Sequence, residues 1–149
     1  MGRLAGLIVV LLLGTGPAFA DYCGEREAST IFSCAIEGSS RSVHVCRHEG
    51  DGIQYVYGRP GAEPELVLNR RPQELIYTPW NGVGRAIWAS LGIPNGEYLY
   101  EVSFSYDKFD QVESGTLLVF RRTDIVATLT CRPGTLVHDL SDRADLFPN

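Results

Sequence analysis

Hydrophobic and polar positions alternate along most of the chain beyond residue 20, and the alternation has the period of a β-strand. In "EYLYEVSFSY", Tyr98, Tyr100, Val102, Phe104 and Tyr106 fall on one face, and Leu99, Glu101, Ser103 and Ser105 on the other. The aromatic row reads as core. Similar short segments, rich in Val, Ile, Tyr, Phe and Thr, occupy 30–36, 42–47, 53–58, 65–68, 75–78, 85–90, 98–105, 115–122 and 125–131. Between them stand turn-formers: Gly38-Ser39-Ser40, Gly50-Asp51-Gly52, Pro60-Gly61, Asn81-Gly82, Pro94-Asn95-Gly96 and Thr123-Asp124. Regular strand spacing without βαβ alternation predicts an all-β fold, an antiparallel β-sandwich or small barrel of about eight short strands. After Cys131 the period changes. Leu136, Leu140, Ala144 and Phe147 approach helical spacing, which predicts a short C-terminal helix laid on the sheet.

The first twenty residues have a different pattern. Arg3 precedes an unbroken apolar run from Leu7 to Leu13; Gly14, Gly16 and Pro17 end it, and Ala18-Phe19-Ala20 supplies small residues where a signal peptidase reads them. The run is too short to span a bilayer, which takes about 20 apolar residues. Residues 1–20 are therefore expected to be a cleaved signal peptide and 21–149 a single β domain, periplasmic or secreted. Without Arg3, 12 bases stand against 18 acids, a net charge of −6, and no basic cluster exceeds two adjacent residues. That balance argues against a nucleic-acid partner and for a basic protein.

Four cysteines, Cys23, Cys34, Cys46 and Cys131, are expected to form two disulfides in an exported domain of this size. Pairing 32–36 with 42–47 so that Cys34 faces Cys46 leaves Ser39-Ser40-Arg41 as a three-residue hairpin loop. That register predicts Cys34–Cys46 and Cys23–Cys131. The alternative use of Cys46 is as a thiolate ligand with His44 and His48, at i, i+2 and i+4 on one strand face. It lacks a further ligand and needs a free thiol beside an oxidisable neighbour, so no metal or other cofactor is expected.

Hydrolase, phosphate-binding, dinucleotide and zincin motifs are missing. His138 with Asp139 or Asp142, and Ser114, could be drawn as a triad, but nothing in the sequence links them, and no catalytic residue is assigned. Aromatic residues at turns are better candidates for binding: Trp80 beside Asn81-Gly82, and Tyr106, Asp107, Phe109 and Asp110 around Lys108. The stretch "GIQYVYGRPGAEPEL" also mixes aromatics with polar turn residues.

"IFSC", "SVHVC", "IQYVYGRPGAEPEL", "NGEYLYEV", "SGTLLVF" and "IVATLTC" together resemble uncharacterised small exported bacterial proteins, a resemblance that spans the mature chain and implies a two-disulfide β-fold. More loosely, the chain is similar to periplasmic lysozyme inhibitors of the sandwich or barrel type. "SGTLLVF" supplies Ser114-Gly115 of their Ser-Gly motif, with Leu117 and Leu118 where those carry tyrosine, and Lys108 is the sole lysine. The expected function is a non-enzymatic binding or inhibitor-like module acting on a basic protein such as lysozyme or on a cell-wall component. The rivals are a small envelope hydrolase and a structural envelope component.

Overall fold

The computed structural model describes residues 21–141, 143 and 147; the expected signal peptide lies outside the described residues. Among the described residues, ten strands form two antiparallel sheets, the second a meander and the first a four-strand meander with the last strand added beside its first. The first contains β1 (Ser29–Ala35), β2 (Ser42–Arg47), β3 (Ile53–Gly58), β4 (Leu66–Arg70) and β10 (Val137–His138), in the order β10-β1-β2-β3-β4. The second runs in chain order through β5 (Ile76–Thr78), β6 (Ala86–Asn95), β7 (Tyr98–Asp107), β8 (Val112–Arg121) and β9 (Asp124–Thr130). Their inner faces share one apolar core. Phe32, Val43, Val45 and Tyr55 come from the first sheet, and Leu91, Ile93, Val102 and Leu117 from the second. The fold is thus the all-β sandwich that the alternation predicts.

The core decides the register of the first hairpin. Phe32 faces Val45 and Cys34 faces Val43, with a bulge at Ile31 that restores Thr30 to Cys46. All five apolar residues Phe32, Cys34, Ile36, Val43 and Val45 are therefore buried in the same core. Setting Cys34 against Cys46 would have brought His44 to the inner face and sent Val43 and Val45 outward, because that slip of three residues, like any odd slip, reverses every side chain. The predicted pairing is accordingly corrected: the disulfides are Cys23–Cys46 and Cys34–Cys131. Cys34 points into the core and ties β1 to the end of β9 in the other sheet. Cys46 points outward and holds the N-terminal segment. Gly115 sits under the inter-sheet bridge, where a Cβ would come within 2.6 Å of the Cys131 sulfur.

Two other expectations change. Strand β6 continues past Ser90 through Gly92 and Pro94, because β5 pairs only with Ser90, Leu91 and Gly92, so Pro94 lies where β6 has a free edge. The predicted C-terminal helix is not present over Leu136–Leu140. Val137 and His138 instead pair with Ser33 and Phe32 along the edge of β1, and Asp139 donates its amide to the Ile31 carbonyl at 2.8 Å. An open edge beside β1 offers more backbone bonds than one amphipathic turn. Leu140 and Phe147 still reach the core, where the Tyr77 hydroxyl donates to the Leu140 carbonyl at 2.7 Å. Ala144 lies outside the described residues. No helix among the described residues is long and apolar enough to cross a membrane.

Candidate functional site, an arginine-lined cleft

Ser42, His44 and Cys46 alternate to the outer face of β2, where solvent would be expected, yet they are only 2 %, 4 % and 0 % exposed. The segment from Asp21 to Ala28 covers His44 and Cys46, while Ser42 borders the His44 ring and the Gly58 carbonyl. Cys23 anchors it to Cys46, and a 3₁₀ turn at Gly24–Arg26 folds it back, with the Arg26 and Ala28 amides both donating to the Cys23 carbonyl at 3.0 Å. Asp21 fixes its start by accepting from the Gly24 amide at 3.0 Å and the Thr30 hydroxyl at 3.2 Å. Tyr22 then lies on the His44 ring, centroids 4.7 Å apart, and the Arg26 guanidinium sits 3.5 Å from the Tyr22 centroid.

His44 is held at both nitrogens: Nδ1 is 2.8 Å from Ser33 Oγ, and Nε2 is 2.8 Å from Ser42 Oγ. Burial pushes its pKa down to about 4; the Arg26 charge pushes the same way, and Asp21 opposes them. The ring is neutral at neutral pH.

Beside this group a cleft of about 630 Å³ opens, in the size range of small-molecule sites. Three further segments wall it: the hairpin loop Ser39–Arg41, the loop from Arg59 to Pro64, and the return through Arg132 and Thr135. Gly58 makes the second wall possible. A Cβ there would lie 3.0 Å from the Glu65 nitrogen and 3.1 Å from Pro64 Cα, so glycine lets the loop double back on the strand. Four arginines, Arg26, Arg41, Arg59 and Arg132, line the cleft, with Glu25 as the one acid among the described lining residues. Arg41 is engaged by Glu65 at 2.8 and 3.0 Å, and Arg26 lies 3.8 Å from Glu25. Arg132 donates to the Ser39 carbonyl at 3.1 Å; neither it nor Arg59 has an ion pair among the described residues. Such a surface favours an anion, and planar guanidiniums suit a carboxylate, sulfate or phosphate.

The turn residues singled out in the sequence gather at another site. Trp80 donates its indole N–H to the Val83 carbonyl at 3.0 Å, and Lys108 Nζ stands 5.2 Å from its ring. Arg85 joins the neighbouring hairpin, reaching Asp107 and Asp110 at 2.5 Å each, with its guanidinium 5.3 Å from the Phe109 ring. Phe109 and Val83 are 75 % and 74 % exposed. Trp80, Asp107, Phe109 and Asp110 are thus brought together, while Tyr106 stays half-buried in β7 on the face that carries Phe104. The two acids, however, are committed. Asp107 has its pKa lowered to about 2, first by the Arg85 hydrogen bond and then by the amides of Asp110 and Phe109.

The remaining candidates do not assemble. Cys46 is in a disulfide, so the His44, Cys46, His48 set has no thiolate, and among the described residues no group of three or more His, Cys, Asp or Glu could hold a metal. His138 bonds Glu113 at 2.9 Å and stacks on Phe104 at 3.9 Å. Ser114 alternates to the opposite face of β8 from Glu113, Asp139 pairs with Arg143, and Asp142 is outside the described residues. The sequence reading missed the cleft, although "GRPGAEPEL" supplies one of its walls. No known protein family, curated protein or solved structure matches the chain.

Proposed function

We propose that the protein is an exported binding module that holds a small organic anion in the arginine-lined cleft. The observation that carries this reading is the gathering of four arginines around one cleft in a chain whose net charge is −5. Allowing for Glu25 and Glu65, two positive charges remain uncompensated there. The apolar part of the lining, Tyr22, Val56, Pro60 and Pro64, suits the carbon frame of a ligand such as an acidic sugar or a carboxylic acid. Two disulfides fit an oxidising compartment, and the N-terminal pattern a cleaved signal. Calorimetric titration with glucuronate, succinate, phosphate and sulfate tests the reading. Saturable binding that weakens with salt and is lost in Arg59→Ala/Arg132→Ala supports it; no heat from any of the four at millimolar concentration removes it.

A second reading, an inhibitor-like contact with a protein, rests on the exposed Phe109 and Val83 beside Trp80. Because Arg85 and Lys108 together balance Asp107 and Asp110, attraction to a basic target would come from the net charge of the molecule rather than from this tip. Titration against several lysozymes, followed for inhibition and binding, decides it.

A further inference from the structure

We propose that Ser42 is a nucleophile activated by His44, and that the cleft hydrolyses an ester or thioester of a small organic acid. The substrate class rests on the anion-binding reading above; the nucleophile rests on its own geometry. Ser42 and His44 are two residues apart on β2, so both side chains leave the same face, and the Oγ to Nε2 distance of 2.8 Å is that of a nucleophile and its base. Ser33, on the adjacent β1, holds the far nitrogen, and the Tyr22 ring holds the imidazole plane. Nucleophile, base and orienting group are therefore in line, with Ser42 and His44 both on the wall of the cleft.

The productive tautomer carries its proton on Nδ1, and the hydrogen bonds accommodate both tautomers. With the imidazole proton on Nε2, that N–H donates to Ser42 Oγ at 2.8 Å, the Ser33 hydroxyl donates to Nδ1 at 2.8 Å, and the Ser42 hydroxyl turns to the Gly58 carbonyl at 3.4 Å. With the proton on Nδ1, that N–H donates to Ser33 Oγ at 2.8 Å and the Ser42 hydroxyl donates to Nε2 at 2.8 Å. Each arrangement makes two good bonds at the ring, and only the second aims the serine proton at the base. Burial keeps His44 unprotonated at neutral pH, and the same burial weakens it as a base, since general-base catalysis is best served by a pKa near the working pH.

In the reaction, Ser42 Oγ attacks the acyl carbon and its proton passes to His44 Nε2. The bond from carbon to the leaving oxygen or sulfur breaks, and that atom takes the proton from Nε2. Water then gives a proton to Nε2 as its oxygen attacks the acyl-serine. The carboxylic acid departs, and the proton returns to Ser42 Oγ. Negative charge on the tetrahedral oxygen develops in a cleft whose other strong donors are guanidiniums.

The decisive experiment treats the oxidised protein with a fluorophosphonate probe and maps the adduct by mass. A single adduct on Ser42, lost after denaturation before labelling, is expected; no adduct on Ser42 overturns the nucleophile. Turnover is read with 4-nitrophenyl acetate and the monoanionic 4-nitrophenyl succinate. His44→Gln should slow hydrolysis by about 10²–10⁴-fold, and Ser42→Ala should abolish it; hydrolysis that survives in S42A overturns the proposal. Adduct mapping needs no variant, so it decides even where S42A fails to fold. If Ser42 is labelled but the two esters react equally and Arg59→Ala changes neither, the nucleophile stands and the anion reading falls.

Discussion

At the scale of single residues, the polar groups of the interior are unevenly satisfied. His44 has a partner at each nitrogen, and its neutral form is the folded one. Its pKa of about 4 in the fold lies below the 6.5 of the unfolded chain, so between those values the unfolded chain binds the extra proton. Stability should therefore fall as pH drops from about 6.5 to about 4, by at most ~3 kcal/mol from this group. Glu101 acts in the opposite sense, since burial raises the pKa of its carboxyl and folding then gains as pH falls. Denaturant melts of wild type and His44→Gln across this range separate the two, and a variant that keeps the wild-type slope would refute the assignment. Tyr55 is the reverse case: 1 % exposed, with a hydroxyl that has no hydrogen-bond partner among the described residues. Tyr55→Phe removes a desolvated group without opening a cavity, so stability should be unchanged or rise by about 1 kcal/mol. A loss of 2 kcal/mol or more by urea melt would mean the hydroxyl is bonded after all.

Among the elements, the strands were legible because burying one face imposes alternation, and β1–β3 and β7–β9 lie close to where the sequence puts them. The first hairpin was misread for an instructive reason. Facing Cys34 with Cys46 satisfied loop length but ignored parity, and Val43 and Val45 outweigh a cysteine pair in choosing which face turns inward. Pro94 obscured the end of β6, since its tolerance depends on how far β5 extends, which only the assembled sheet shows. The cleft was less legible still. Its walls come from residues near 22–26, 39–42, 58–64 and 132–135, and no local spacing joins them. Gly58 is the residue at which strand and wall meet, and its replacement is informative. Gly58→Ala sets a methyl against the backbone at Pro64 and Glu65, which must move by a few tenths of an ångström. Anion affinity should fall several-fold, read by the same titration, whereas the Glu65–Tyr57 backbone bond and β3 should persist in hydrogen exchange. Unchanged affinity would show that this wall does not touch the ligand.

Across the whole molecule, the two disulfides divide stability from site construction. Cys34–Cys131 closes a separation of 97 residues and joins the sheets through the core; Cys23–Cys46 closes 23 and fastens one covering segment. On the chain-entropy account the first is worth about 5 kcal/mol and the second about 3 kcal/mol. The difference in what they hold matters more than the difference in loop length. Cys34→Ala/Cys131→Ala frees the return of the chain beneath Gly115 and leaves two small voids in the core, so global stability should fall by more than the entropy alone. Cys23→Ala/Cys46→Ala should leave the sandwich folded but let Tyr22 and Arg26 leave His44. That opens the cleft wall, lowers anion affinity and moves the His44 pKa toward 6.5, measurable by NMR titration of the imidazole. Peptide mapping without reduction should recover Cys23 with Cys46 and Cys34 with Cys131. Recovery of a Cys34–Cys46 peptide would restore the cysteine-led register, send Val43 and Val45 outward, and dismantle both the core and the cleft as described.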